Sequence, residues 1–391
     1  MRERQLSLIE KWELDVESYN NVPKVKVSKP QCMSCKNFEK GNALYCKIFT
    51  DIEKPKMVLS CKKECDYYDN NDFLHIEIHN SRENKVYGGL FGFCIGDILG
   101  VPVEFSTREE RKKDPINEMR AYGTYHQPFG TWSDDTSLTI CLIDAINKGY
   151  SIERVAQNFQ KFYENGEFTP HGEVFDVGNS TRESIIKLCK GYKLTECGGS
   201  READNGNGSL MRSLPIAFYG EKLKEQELVN LVEEVSSLTH LHKRSRLACI
   251  FYVVFLIQII NGYKKDEALE NTIAFIRNNC TKTYITEFSY FEKIFSKSIV
   301  DAKEDEIKST GYVIDTLEAV IWTFYNADGY RDCVIKAVNL GGDTDTIAAL
   351  VGGVAGIYYG VQDIPQKWIQ TIAKKEELYS MFEQFCVITD V

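Results

Sequence analysis

The stretch NKVYGGLFGFCIGDILGVPVEF, residues 84–105, sets Gly88, Gly92, Gly96 and Gly100 at intervals of four, which in a helix leaves one face without side chains. Each glycine costs a helix roughly 1 kcal/mol relative to alanine. Four in register therefore predict that another helix approaches this one backbone to backbone. Two acids belong to the same stretch. Asp97 lies inside the apolar helix, where a hydrogen bond to a neighbouring loop would satisfy it, and Glu104 follows Pro102 just past the helix end. A carboxylate held on so short a loop is suited to proton transfer.

Outward from this stretch the chain reads as one helix after another. The region 106–129 is charged and carries Pro115 and Pro128, which reads as a surface loop with little regular structure. Leu138, Cys141, Leu142, Ala145 and Ile146 keep the i, i+3, i+4 spacing of a half-buried helix ended by Gly149, and residues 151–163 give another, ended at Gly166. The longest apolar run, Leu247–Ile257, is too short to cross about 30 Å of hydrocarbon as a helix and is expected to be a buried one. Residues 264–308 are charged and amphipathic, with no chemistry that can be named. The segment 311–325 places Leu317, Val320, Ile321 and Phe324 on one helical face, and AALVGGVAGIYYG, 348–360, is a second small-residue helix suited to tight packing. Nothing in the main body alternates apolar and polar residues as a half-buried strand does. The expected fold is all-α and compact over residues 82–391.

Two acidic stretches more than two hundred residues apart look like halves of one site: WSDDTSL at 132–138 and LGGDTDTIAAL at 340–350. Each presents two carboxylates and a hydroxyl at the start of an apolar helix. Either one alone reads as an ordinary helix cap, because Asp, Ser and Thr suit the N-cap and the positive end of the helix dipole. Together they hold more carboxylates than two caps need. Asp134, Asp135, Asp343 and Asp345 would carry about four negative charges, close to what two divalent cations neutralise, and Ser133 and Thr346 add uncharged oxygens. That donor set suits Mg2+ or Mn2+.

The composition sets outer limits. The chain has 391 residues, 43% hydrophobic and 27% charged, as expected of a soluble globular protein with one large domain and room for a smaller module. A net charge of −10 speaks against a general nucleic-acid binder, although a local basic patch stays open. The first thirty residues hold no uninterrupted apolar core, so no secretory signal is expected. Thirteen cysteines then read as reduced thiols or metal ligands in a cytoplasm.

Residues 1–29 form an arm in which Leu6, Ile9, Leu14 and Val16 stand among charges before Pro23 and Pro30. Residues 30–80 form a cysteine-rich module. Cys32-x2-Cys35 and Cys61-x3-Cys65 are two short-spaced pairs of the kind that supply four thiolates to a structural Zn2+, with Cys46 as a fifth thiol for four places. Unligated reduced cysteines and an iron–sulfur cluster are the competing readings. None of the three implies catalysis, so the module is assigned to stability or partner recognition.

Two further loops have the form of anion cradles. FDVGNSTRESIIKLCKG, 175–191, and DNGNGSLMRSLPIAFY, 204–219, each set glycine and asparagine before a helix, where successive backbone N–H groups can hold phosphate oxygens. A plain tight turn with a cap is the alternative for each. His240 and His242 precede the apolar helix at an i, i+2 spacing, which is poor for a shared metal and better suited to cap or loop contacts.

Taken in order, GGLFGFCIGDILGVPVEF, WSDDTSL, FDVGNSTR, GNGSLMRSLP, SSLTH and NLGGDTDTIAALVGGVAGIYYG resemble the ADP-ribosylglycohydrolase family, which includes the dinitrogenase reductase-activating glycohydrolases, over about the last 310 residues. The resemblance implies an orthogonal all-α bundle with two Mg2+ or Mn2+ ions in a cleft, cleaving the bond between the distal ribose C1'' of ADP-ribose and an acceptor. It makes Ser133, Asp134, Asp135, Asp343, Asp345 and Thr346 the metal ligands, with Ser133 standing where the family often has threonine. Glu104 matches the family's mobile glutamate near the reacting ribose. Gly178, Asn179, Ser180, Gly206, Asn207 and Gly208 would hold the diphosphate and ribose, and His240 would line the cleft. Glu104, Asp134, Asp135 and Asp345 are the expected catalytic acids.

The implied substrate is an ADP-ribosylated protein or a small ADP-ribose conjugate, with arginine favoured as acceptor over serine, a nucleic-acid base or a metabolite by analogy with the bacterial members. A monomer is expected, with no membrane partner. Two rivals use the same residues: a non-catalytic ADP-ribose-binding or structural relative, and a two-metal phosphoesterase cutting the diphosphate.

Overall fold

The computed structural model describes residues 74–390. The arm and the cysteines at 32, 35, 46, 61 and 65, with the zinc expectation attached to them, lie outside the described residues. Among those described, the regular structure is helical, with eleven helices of ten residues or more: α1 Ser81–Gly100, α2 Asp134–Asn147, α3 Ile152–Asn165, α4 Asn179–Cys189, α5 Glu225–Ser237, α6 Lys243–Ile260, α7 Lys265–Asn279, α8 Val313–Tyr325, α9 Tyr330–Asn339, α10 Thr344–Tyr359 and α11 Lys375–Asp390. The all-α expectation holds, and β-structure among the described residues is confined to isolated bridges.

The centre of the molecule is the pair α1 and α10, packed antiparallel. A Cβ on Gly88 would run into the Gly356 carbonyl, one on Gly92 into that of Gly352, and one on Gly96 into that of Ala348. The glycine strip is thus the contact it was expected to be, and its partner is the other small-residue helix. Both helices are buried along almost their whole length. By length and composition Ser81–Val103 could cross a membrane, but its most apolar window is wholly buried inside the fold.

The run 247–257 lies inside α6, likewise sheathed by other helices. Gly166 closes α3 in the left-handed conformation at φ +68°. The region 106–129 differs from expectation. It carries a six-residue helix, Arg108–Lys113, started by a capping box in which Thr107 and Glu110 satisfy each other's backbone N–H groups. The charge of that segment masked the S/T-x-x-E signal.

Antiparallel packing fixes where the ends fall. The C-terminal end of α1, with Glu104 beyond it, lies beside the N-terminal end of α10: a Cβ on Gly100 would collide with the Asp345 backbone itself. The start of α2 is brought to the same place by Asp97. Its buried carboxylate accepts from Ser133 N at 3.0 Å, Thr136 N at 3.1 Å and Thr136 Oγ1 at 2.6 Å. Asp97 therefore caps α2 from a different helix, and burial, opposed by the Thr136 and Ser133 hydrogen bonds, leaves it raised to about 6.

Candidate metal centre and cleft

Four chain segments converge at the helix ends. Ser133 is the N-cap of α2, its Oγ accepting from Asp135 N at 3.2 Å, so Asp134 and Asp135 occupy the first turn, where the helix dipole favours negative charge. Asp343 stands at the N-cap of α10 with Asp345 and Thr346 in its first turn. The turn ahead of it, Gly341–Gly342, runs at φ +72° and +74°, and a side chain on Gly342 would strike the Ser309 carbonyl. Glycine is required there on both counts.

The Glu104 loop is joined to that turn. Phe105 N donates to Gly342 O at 2.8 Å and Gly342 N to Ser106 O at 2.8 Å. Arg108 fastens both from below, Nε donating to Leu340 O at 3.0 Å and Nη2 to Ile307 O at 2.6 Å.

The acids gather in two trios, Glu104 with Asp343 and Asp345, and Asp134 with Asp135 and Asp176; within each, one oxygen per residue lies within 4.8 Å of the others. The trios are stitched across α2 and α10 by Asp135, whose Oδ2 accepts from Ser133 Oγ at 3.2 Å and from Thr346 Oγ1 at 3.3 Å. Burial, then the Asp345 and Asp343 charges, push Glu104 up to about 10. Burial first, then neighbouring carboxylates, hold Asp134, Asp135, Asp176 and Asp345 well above the usual range.

Asp343 is raised by burial but restrained by its hydrogen bond from Asn207. Glu104 Oε2, Asp135 Oδ1, Asp343 Oδ1 and Asp345 Oδ2 are buried without a hydrogen-bond partner. Oxygen donors this crowded, this dry and this unsatisfied fit hard divalent cations, which take carboxylate oxygens and offset the repulsion.

Above the acids opens a cleft of about 310 Å3. Of the residues singled out in the sequence, Glu104, Asp134, Asp135, Asp343, Thr346, Gly178, Asn179, Ser180, Gly206, Asn207, Gly208 and His240 all line it. Ser133 and Asp345 stand just behind the wall, buried. Gly178 is the N-cap of α4, so Asn179 and Ser180 are its first helical residues and their N–H groups face the N-terminal end. Asn207 is the one whose placement differs in kind. Its Nδ2 donates to Asp343 Oδ2 at 2.7 Å and to Thr316 Oγ1 at 3.0 Å, so the amide orients a carboxylate.

His240 is fully buried, with Nδ1 2.8 Å from Thr239 Oγ1. Burial and the nearby Arg212 cation lower it to about 3, which keeps the ring neutral. His242 takes the other role foreseen for the pair and caps α6, accepting from Arg244 N at 3.1 Å.

Three residues of the site, Asp176, Tyr125 and Arg212, escape a reading by motif. Asp176 completes the second trio from a left-handed backbone at φ +63°, a conformation Asp tolerates better than most residues. Its only signal is its position two residues before the Gly178 turn. Tyr125 donates with its phenol to Asp176 Oδ1, close to Glu104. Asp97, expected to be satisfied by a neighbouring loop, accepts from Ser133 N and Thr136 N at the start of α2. Arg212, wholly buried, donates to Gly208 O and, at 2.8 Å, to Thr239 Oγ1, which ties the 206–208 loop to the segment bearing His240.

The family model described as ADP-ribosylglycohydrolase matches residues 78–390. The chain belongs to this family. As an ADP-ribosylglycohydrolase it is a hydrolase, and its curated relatives carry related names. It is 31% identical over 303 residues to "ADP-ribosylarginine hydrolase Tri1" of Serratia proteamaculans (strain 568), covering 77% of this chain and 78% of the relative. It is 28% identical over 301 residues to "ADP-ribosyl-[dinitrogen reductase] glycohydrolase" of Rhodospirillum rubrum, covering 76% and 93%. With "ADP-ribosylhydrolase ARH3" of Xenopus tropicalis it shares 23% identity over 329 residues, covering 73% and 90%. A solved structure described as an ADP-ribosylglycohydrolase-related protein complex superposes with a TM-score of 0.63 at 25% identity, over 79% of this chain and 99% of that one.

Proposed function

We propose that this ADP-ribosylglycohydrolase removes ADP-ribose from ADP-ribosylated arginine side chains, cleaving at the distal ribose C1'', and that it needs two divalent cations, Mg2+ or Mn2+, to do so. The observation that carries the reading is the meeting of two carboxylate trios, from four distant segments, at the floor of one cleft with glycine-rich walls. The acceptor rests on the similarity to a relative named for ADP-ribosylarginine.

Asp343 and Asp345 would hold one cation, and Asp134, Asp135 and Asp176 the other, with the Ser133 and Thr346 hydroxyls between them. When bound, such ions polarise sugar oxygens and make water a better nucleophile at neutral pH. The protein's own groups supply the rest. The floor carboxylates favour the positive charge that grows on the sugar ring as its C1'' bond lengthens. Glu104, on a loop at the cleft edge, is placed to pass a proton to the leaving nitrogen. The N-terminal end of α4 and the 206–208 loop offer N–H groups to the diphosphate. Neutral His240 presents its free edge to the same loop.

Incubation with an ADP-ribosylated arginine protein and Mg2+ or Mn2+ should release ADP-ribose, and EDTA should stop it. Release of AMP would identify a phosphoesterase, and binding without release a non-catalytic relative. Asp343→Ala should abolish turnover and weaken metal binding with its circular dichroism unchanged. Full activity in that variant would overturn the assignment. The proposal places the chain in a reducing cytoplasm as a monomer, which light scattering can check, and assigns Cys32, Cys35, Cys61 and Cys65 to one structural Zn2+, which elemental analysis of the full chain can check.

A further inference from the structure

The Glu104 loop is a ridge between two hollows. On one side is the cleft; on the other is a more open hollow of about 710 Å3 bordered by Arg111, Lys113, Thr124 and His126. Glu104 and Phe105 belong to both walls. Phe105 is 68% exposed, the most of any large hydrophobic residue among those described. Its backbone lies at φ +61°, in the left-handed region that a residue with a bulky side chain avoids.

Nothing about burial accounts for this, since the ring is in solvent. The bonds between Phe105 N and Gly342 O and between Gly342 N and Ser106 O hold the strained residue in place. A ring kept exposed at the expense of backbone strain, next to the reacting centre, points to use. It is part of an aromatic rim: Phe105 meets Tyr125 edge-on at 6.5 Å between centroids, and Tyr125 meets Phe175 at 5.1 Å. Beneath the rim lie Glu104 and Asp176, the latter accepting from the Tyr125 phenol.

We infer that Phe105 is a specificity-determining residue that lays its ring against the planar guanidinium of the acceptor; this rests on the arginine reading above. The acceptor is joined to the sugar that meets the acids, so its chain leaves the cleft past Glu104, and Phe105 is the next residue on that path. An aromatic face favours a flat cation over a neutral hydroxyl-derived acceptor. The surrounding carboxylates favour the same charge. Phe105 thereby separates arginine conjugates from serine conjugates without touching the ADP-ribose that both share.

Three variants test this with the full chain and Mg2+. Phe105→Leu keeps bulk but loses the π-face, Phe105→Tyr keeps the face, and Phe105→Gly removes both ring and strain. The readouts are KM and kcat on an ADP-ribosylarginine peptide and an ADP-ribosylserine peptide, Kd for free ADP-ribose, and Tm. The expected result is a KM for the arginine conjugate about 3- to 10-fold higher in the Leu and Gly variants, the span of an exposed to half-buried cation–π contact. The Tyr variant should match the parent, Kd for ADP-ribose should stay within twofold throughout, and the Gly variant should melt no lower than the parent. An unchanged KM in the Leu and Gly variants, or an equal loss of ADP-ribose affinity, would overturn the role of Phe105 while leaving the activity standing. A parent protein that hydrolyses the serine conjugate and not the arginine one would overturn the arginine reading and this inference together.

Discussion

Asn207 shows how a single side chain changes meaning between sequence and structure. In the sequence it is one polar residue of a Gly-Asn-Gly loop suited to phosphate. In the fold its loop pairs with residues 311–313, through Asn207 N to Gly311 O at 3.0 Å and Val313 N to Asn205 O at 3.0 Å, and this turns the amide onto Asp343. A group that orients a metal-binding carboxylate affects affinity nearly as much as the ligand does, typically by 10- to 100-fold. Asn207→Ala should therefore weaken Mn2+ binding by about that factor in calorimetry, with the helical content intact. Asp134, Asp135, Asp343 and Asp345 were legible because a pair of acids at a helix start exceeds what a cap needs. Asp176 was not, because it sits alone on a loop, and its relation to the others exists only in space.

At the scale of the element, the α1–α10 pair is both the core and the ruler of the site. Gly96 and Gly100 lie on the same strip but against different things: Gly96 faces the Ala348 carbonyl in mid-helix, whereas Gly100 faces the backbone of Asp345. Neither neighbour is a flexible side chain that can swing aside, so alanine at either position forces the helices apart at a cost of about 1–3 kcal/mol. Both variants should melt lower. Gly100→Ala should in addition lose more metal affinity than Gly96→Ala, because the displaced backbone carries the Asp345 carboxylate of the first trio. Equal affinities in the two would show that the ends of the helices adjust independently of their packing. The strip itself was readable from its period of four, as was the small-residue character of its partner. The pairing and its antiparallel sense were not.

The whole molecule holds together around a charged centre that opposes folding. Glu104 titrates near 4.5 when unconstrained and near 10 in the fold, so between those values the folded chain keeps a proton that the unfolded chain has released. Its contribution to stability is full below about 4.5 and is lost as pH rises through about 10. Asp134, Asp135 and Asp345 are raised and act in the same direction. The EDTA-treated protein should thus melt progressively lower as pH is raised from 6 to 9. Added Mg2+ or Mn2+, binding the folded state alone, should restore Tm most at the highest pH. A melting temperature that rose with pH in EDTA would contradict the burial of these acids.

By itself the sequence determined the helical class, the tight packing of two glycine-marked helices, the identity of four of the six clustered acids at helix starts, and Glu104 just past one helix end, because each of these is written in local spacing. The tertiary structure alone decided that the acids form two trios, that Asp97 caps a helix it does not belong to, that Asn207 and Tyr125 serve carboxylates, and that Phe105 stands in solvent. Those facts depend on which helix ends meet. That is set by the antiparallel contact of α1 with α10, whose residues are more than two hundred positions apart in the chain and whose closeness no local period encodes.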